Sequence, residues 1–280
     1  MGDPGMTDAR IDLHTHSRAS DGEFTPAEVA AKAHAAGIGV WGLCDHDTVG
    51  GLEEARAAAS AHGVRLVPGI ELSAFLQSKE IHLLGHFVDP LHPSMREFED
   101  FLAARRRERM QEIVEKLVPL GVRIRTEDIE KWSGGKTIGR PHVARAIMET
   151  GTVATVKEAF DRYLGEGRPA YVQRYRLEAA EAVRLVRSAG GTATVAHPGV
   201  SKLERHDLLA LRRAGVDGLE VHHVDHVPSQ REKYLRIAEE LDLVATAGSD
   251  YHGPNVAPDR KLGDVTMSLD DLAVLESRRP

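Results

Sequence analysis

The sequence predicts an α/β protein of mostly parallel strands, arranged as a barrel in preference to an open doubly wound sheet, and interrupted by a mainly helical insertion. Three observations support this. Short apolar runs alternate with amphipathic stretches of helical period; the alternation breaks off near residue 91 and resumes near residue 173; and histidines and carboxylates recur where the apolar runs end. Repeated strand-then-helix units require parallel strands joined by right-handed crossovers. With 280 residues and 41% hydrophobic content, the chain can bury one large core or a core plus an insertion.

The elements follow in order. Residues 10–14 read as a strand, and Thr25-Pro26-Ala27-Glu28 starts a helix with a capping box and proline at its first position; that helix stops at Gly37. "IGVWGLCDHD" is the next strand, residues 51–62 a helix, and "VRLVPGIELSAF" and "EIHLLGHFV" two further strands. After the interruption come a helix at 177–189 closed by Gly190-Gly191, a strand at 192–196, a helix at 203–214, a strand at 217–222, a helix at 229–241 and a strand at 243–247. The barrel is therefore expected from 1–90 and 173–280.

The insertion, 91–172, has helical periodicity almost throughout. Between Arg96 and Arg176 the chain carries 17 Lys and Arg against 13 Asp and Glu, so a segment of net charge +4 sits in a chain of −7. Such a segment reads either as a solvated helical insertion or as a basic cap that holds an anionic substrate against an acidic site. Its departure from the strand that carries His82, whose end is expected on the ligand-bearing face, favours the cap.

Composition excludes several classes. One cysteine, Cys44, rules out a disulfide framework and a thiolate metal site, so any metal is held by nitrogen and oxygen. No apolar run approaches the roughly 18 residues of a membrane span, and "MGDPGMTDAR" lacks the basic start and apolar stretch of a signal peptide, which predicts a soluble, cytoplasmic protein. No obligate protein partner is evident.

The placement of candidate ligands is the decisive feature. His14 and His16 follow the first strand; Asp45, His46 and Asp47 the second; Glu71 lies in the third and His82 in the fourth; His197, Glu220, and Asp250 with His252 follow the later ones. Side chains at the carboxyl ends of parallel strands converge on one face, where active sites form. Imidazole and carboxylate without thiolate suit zinc, manganese or ferrous iron. About ten such groups exceed one ion's needs, and clusters of ions roughly 3.5–4 Å apart serve displacement at phosphorus. Phosphate-ester hydrolysis is the chemistry these residues suggest.

"DLHTHSRASDG", "LCDHDT", "PGIELS", "VAHPG" and "GSDYH", in this order, closely resemble the polymerase and histidinol phosphatase (PHP) family, in particular its branch of small nucleotide phosphoesterases; "GRPHVARAIMETG" and "AFDRYLGEGRPAYV" extend the match through the insertion. The resemblance implies a distorted TIM-like (βα)7 barrel, the PHP fold, with two to three divalent ions (Mn2+, Zn2+ or Fe2+). It assigns His14, His16, Glu71 and Asp250 to one ion, makes Glu71 a bridge to a second held by His82 and His197, and gives Asp21, His46 and His252 to the third. It also places His226 near the leaving group as a proton donor, and Arg18, Arg140, His142 and Arg168 on substrate phosphate, which guanidinium groups bind bidentately.

Around these, Asp45 or Asp47 is expected to orient His46 or its loop, His86 to be a core or supporting residue, and Glu220 to be either a ligand or not; His222 and His223 carry less weight. The resemblance implies a phosphoesterase acting on nucleoside 3′,5′-bisphosphates or the 5′ ends of short oligonucleotides. Competing readings are a phosphatase for a metabolite such as histidinol phosphate, and a non-catalytic module stabilised by metal.

Overall fold

The computed structural model describes residues 9–133 and 139–280, so the reading of "MGDPGMTDAR" falls almost wholly outside the described residues. The chain divides into two compact units, Met1–Arg96 with Arg176–Pro280, and Glu97–Tyr175.

The first unit is a seven-stranded sheet in the order β1 to β7. Its elements are β1 (Arg10–Asp12), α1 (Pro26–Ala35), β2 (Ile38–Leu43), α2 (Leu52–His62), β3 (Arg65–Leu76) and β4 (Lys79–His86). The α1 cap is the predicted box: Glu28 N–H donates to Thr25 Oγ1, and Thr25 N–H donates to the Glu28 carboxylate. Pairing is parallel throughout except at β4, which runs antiparallel to both β3 and β5.

The chain leaves β4 for α3 (Pro93–Leu117), α4 (Thr126–Ser133), α5 (Arg140–Glu149) and α6 (Val156–Ala159), then returns through α7 (Ala179–Ser188), β5 (Thr192–Val195), α8 (Arg205–Arg213), β6 (Gly218–His223), α9 (Pro228–Glu240), β7 (Val244–Gly248) and α10 (Leu269–Ser277). Beyond its last assigned residue β1 stays extended and meets β7, with Leu13 N–H on the Ala247 carbonyl (3.1 Å) and His16 N–H on that of Tyr251 (2.9 Å). The sheet is thereby nearly closed into a barrel.

The reversal of β4 has a local cause. Only Gln77 and Ser78 separate it from β3, far short of the dozen or so residues a parallel crossover needs, and Gln77 takes a left-handed φ of 55° to make the turn. His82 pairs opposite Ser73, near the carboxyl end of β3, while His86 pairs opposite Gly69. The expectation that the chain departs for the insertion on the ligand-bearing face is therefore not met: an antiparallel β4 ends at the other face. The chain re-enters the barrel at the ligand end instead, where Phe75 N–H donates to the Leu177 carbonyl (2.8 Å) and the Arg176 guanidinium lies 4.4 Å from the Phe75 ring.

Ile11, Leu13, Val40, Val67, Val244 and Ala247 from four strands pack with Leu272 and Leu275 of α10, a helix that the strand-and-helix repeat did not announce. Burying each large aliphatic side chain contributes about 1.5–3 kcal/mol. The fully buried Asp12 accepts N–H groups from Ser249 (3.0 Å) and Gly263 (2.9 Å), which ties β1 to the segment after β7; burial raises its pKa. The second unit has its own core, with Ile113, Leu117, Ile129, Val143, Ile147 and Leu164 among its members. Among the described residues, no helix is long and apolar enough to cross a membrane.

Leu13→Ala is expected to lower barrel stability by about 2–5 kcal/mol, the usual cost of truncating a fully buried leucine. Chemical denaturation of the two proteins checks this; an unchanged midpoint would show that the β1 layer is not part of the core.

Candidate metal centre

Residues two apart on an extended strand point the same way, which is how His14 and His16 both enter one cavity while Thr15 points opposite. Thr15 Oγ1 accepts the Trp41 indole N–H (2.7 Å) and donates to the Gly42 carbonyl (2.7 Å), so the outward residue locks the strand that aims the two inward ones. His14 Nε2 and His16 Nε2 lie 3.1 Å apart, and both rings are fully buried.

Glu71 stands between two sets of imidazoles. Its Oε2 is 3.2 Å from His14 Nε2, 3.1 Å from His16 Nε2 and 3.2 Å from His46 Nδ1. Its Oε1 is 2.8 Å from His82 Nδ1 and 3.1 Å from His197 Nε2. Asp250 Oδ1 completes the first set, 3.4 Å from His14 Nε2 and 3.1 Å from His16 Nε2. A third set forms around Asp21, whose carboxylate is 3.3 Å from His252 Nε2 and 3.7 Å from both His46 Nε2 and His16 Nδ1. His252 Nδ1 donates to the Asp250 carbonyl (2.8 Å), leaving the Nε2 lone pair turned toward Asp21. The structure thus gathers all nine sequence-predicted ligands. His46 faces two ways, grouping with Glu71 and His82 as well as with Asp21.

The surrounding contacts explain the aim. Asp45 accepts Ser17 N–H (2.8 Å), Ser17 Oγ–H (2.7 Å) and Ser20 Oγ–H (2.6 Å), anchoring the loop that presents Asp21. Asp47 accepts Ser73 N–H (3.0 Å), and backbone bonds from Asp47 N–H to Glu71 O and from Glu71 N–H to Asp45 O clip His46 beside Glu71. Arg260 binds the outer oxygen of Asp250 and also Asp225 (2.7 Å). His197 and Asp250 take positive φ values, 25° and 51°, conformations unfavourable for residues with a Cβ and typical of functional sites.

The donor set fits divalent ions. Donor atoms about 2.0–2.2 Å from one ion lie about 3–3.5 Å from one another, as these do. Of the atoms that face one another in the cluster, Glu71 Oε2 and His46 Nδ1 are buried without hydrogen-bond partners. Each such atom costs about 1–3 kcal/mol, a penalty that coordination at the aligned lone pairs relieves. Burial alone would raise the Glu71 pKa, but the imidazoles of His46, His14 and His82 around it hold it well below the usual carboxylate range. Burial likewise opposes charging of His16, yet Asp250 and Glu71 push it up to about 10, whereas burial drives His46 down to about 4.

The remaining predicted residues are placed as follows. His226 is buried; its Nδ1 donates to the Val221 carbonyl (3.0 Å) and its Nε2 accepts Gly199 N–H (3.0 Å), so both nitrogens are engaged by backbone. Arg18 curls back onto the Glu23 carbonyl (2.8 Å). In the second unit, Arg140 donates to the Leu164 carbonyl (3.2 Å) and lies 5.7 and 5.5 Å from the rings of Phe160 and Tyr171; His142 Nδ1 caps α5 by accepting Gly139 N–H, and Arg168 is exposed. His86 is a core residue, bonded to the Leu13 carbonyl and driven down to about 4 by burial.

Sequence reasoning underweighted His223 and missed Arg260. His223 is fully buried with Nε2 3.5 Å from Asp250 Oδ2, and its position in β6, three residues beyond the inward Glu220 across a register shift, was the available signal. Arg260 lies in an irregular segment where no periodicity could have found it.

A nearly closed barrel gathering imidazoles and carboxylates at one end has the layout of a metal-centred hydrolase. The chain belongs to the PHP domain family, whose model matches residues 12–167. It is similar to a 5′-3′ exoribonuclease of Haemophilus influenzae, with 35% identity over 88% of this chain and 90% of that protein. A 3′,5′-nucleoside bisphosphate phosphatase of Chromobacterium violaceum is 34% identical over 88% of each chain. Among solved structures, a candidate metal-dependent phosphoesterase of Bifidobacterium adolescentis superposes with a TM-score of 0.78, at 30% identity and 97% coverage of both chains.

Because buried His14 and His16 are raised by their facing carboxylates, the metal-free cluster holds protons that a ligating imidazole must give up. Binding therefore releases protons and tightens as pH rises. Titration calorimetry with Mn2+ or Zn2+ is expected to show an association constant lower by about tenfold or more at pH 6 than at pH 8; pH-independent binding would contradict these protonation states.

Proposed function

We propose that the protein is a metal-dependent phosphoesterase that hydrolyses phosphate esters of nucleotides, acting on nucleoside 3′,5′-bisphosphates and on the 5′ ends of short oligonucleotides. The observation that carries this reading is Glu71, fully buried, with each oxygen facing a different set of imidazoles. In this reading His14, His16, Glu71 and Asp250 hold one ion, Glu71, His82 and His197 a second, and Asp21, His46 and His252 a third, the ions being manganese, zinc or iron. Ions so held would lower the pKa of water and neutralise charge developing on phosphoryl oxygens. Nucleotide substrates fit an enzyme of the cytoplasm.

The chain's own residues divide the remaining work. Glu71, kept ionised by its imidazole neighbours, supplies a bridging anion that stays unprotonated at neutral pH. His226 serves the leaving oxygen in a state where Nε2 has released Gly199 and taken up a proton; burial lowers its pKa, so that proton is readily given up.

Recognition of a second phosphate falls to the insertion, acting as a cap. Arg140 and Arg109 neighbour one another, and among the described residues neither pairs with a carboxylate. Burial and then the Arg140 charge lower the pKa of Arg109, the signature of cations without a counter-ion. Arg18, His142 and Arg168 are the further substrate contacts proposed. Binding energy from a non-reacting phosphate can orient the reacting one, and so appears in turnover efficiency as well as affinity.

A panel of phosphate esters assayed after manganese, zinc or iron loading tests the reading, and preference for histidinol phosphate over every nucleotide would replace it. Arg140→Ala is expected to lower kcat/KM for a nucleoside bisphosphate by about tenfold to a thousandfold, roughly 1.4–4 kcal/mol, with a much smaller effect on a chromogenic monoester. Equal losses on both would move Arg140 to the reacting phosphate or to the fold.

A further inference from the structure

We infer that Glu220 is a positioning residue that fixes the proton of His14 and the seat of His197, and is not itself a metal ligand. This rests on the reading that the cluster binds divalent ions. By residue type alone Glu220 looks like a ligand, since it groups with His14 and His223, all three fully buried. The directions of its atoms point elsewhere. Oε1 lies 2.9 Å from His14 Nδ1, and Oε2 accepts the backbone N–H of His197 at 2.7 Å. The other nitrogen of His14, Nε2, is the one that faces His16, Glu71 and Asp250.

A carboxylate offers only acceptors, so it selects the imidazole tautomer with hydrogen on Nδ1 and leaves the Nε2 lone pair for coordination. The same group holds His197 in its strained φ of 25°, with Nε2 3.1 Å from Glu71 Oε1. One side chain of β6 therefore orients a residue from each of the two sets that share Glu71. Its approach depends on Gly248, where a Cβ would lie 2.6 Å from Glu220 Oε1 and collide with the His14 Cβ.

The replacement Glu220→Gln separates this role from ligation. An amide has one acceptor and one donor group, and His197 N–H can only donate, so it takes the amide oxygen. The NH2 group then faces His14 Nδ1, which must accept; the imidazole proton moves to Nε2 and points at the other ligands. Glu220→Ala leaves the ring free to choose its tautomer. The near-isosteric variant is thus expected to bind metal more weakly than the truncated one, whereas a ligand role gives the reverse order, because glutamine keeps an oxygen donor and alanine has none.

Mn2+ and Zn2+ titrations of the metal-free proteins against a chelating dye measure the order, with circular dichroism and thermal melting to establish folding. Glu220→Gln should lose about ten- to a hundredfold in affinity at the His14 site, and Glu220→Ala less. Wild-type affinity in Glu220→Gln, or alanine weaker than glutamine, would overturn the inference. Histidine 15N shifts of the zinc-loaded wild type give a test that needs no variant: a protonated Nδ1 and metal-bound Nε2 on His14 support the role, and the opposite pattern overturns it. A wild type that binds neither ion would instead overturn the proposed function.

Discussion

The carboxylate of Glu71 is the interaction on which the rest of the structure depends. It is fully buried in the middle of β3, and five imidazoles from four other strand ends or strands approach its two oxygens within 3.2 Å. A lone carboxylate so placed would be too costly to ionise; surrounded by imidazoles, it is held ionised. The same crowding leaves Glu71 Oε2 and His46 Nδ1 buried without hydrogen-bond partners, an imbalance that divalent cations would relieve.

Much of the barrel can be understood as support for this centre. Thr15 locks β1 through Trp41, Asp45 and Asp47 anchor the loops that carry Asp21 and His46, and Arg260 occupies the outer oxygen of Asp250. Strained backbone at His197 and Asp250 is held through their own N–H groups, His197 N–H donating to the Glu220 carboxylate and Asp250 N–H to the His14 carbonyl. Rigid second contacts of this kind keep ligand atoms aligned without the metal having to organise the site on arrival. The antiparallel β4 belongs to the same design, since reversing that strand brings His82, near its start, level with the carboxyl end of β3.

The gathering of imidazoles and carboxylates was legible in the sequence because strand geometry ties residue spacing to direction. His14 and His16 share a face by the period of two, and residues that end parallel strands converge without any knowledge of loop conformation. The strand reversal is legible only in part: the two strands show in their apolar runs, but the reversal depends on the length of the Gln77-Ser78 link, so a reading by repeated strand and helix puts the exit of the insertion on the wrong face. Glu220, His223 and Arg260 were obscured for a different reason. Their roles depend on which atom meets which, and for Arg260 on an irregular segment beyond β7, neither of which a periodic pattern encodes. The engagement of both His226 nitrogens by backbone is likewise a matter of atom direction that a motif cannot carry.

The central claim is that one carboxylate joins two ion sites. Electron paramagnetic resonance of the Mn2+-loaded protein tests it most directly, because ions about 3.5–4 Å apart and bridged by a common ligand are magnetically coupled. The account predicts the multiline spectrum of a coupled pair at full loading. The simple six-line pattern of isolated Mn2+ at every loading, with two or more ions bound, would contradict it.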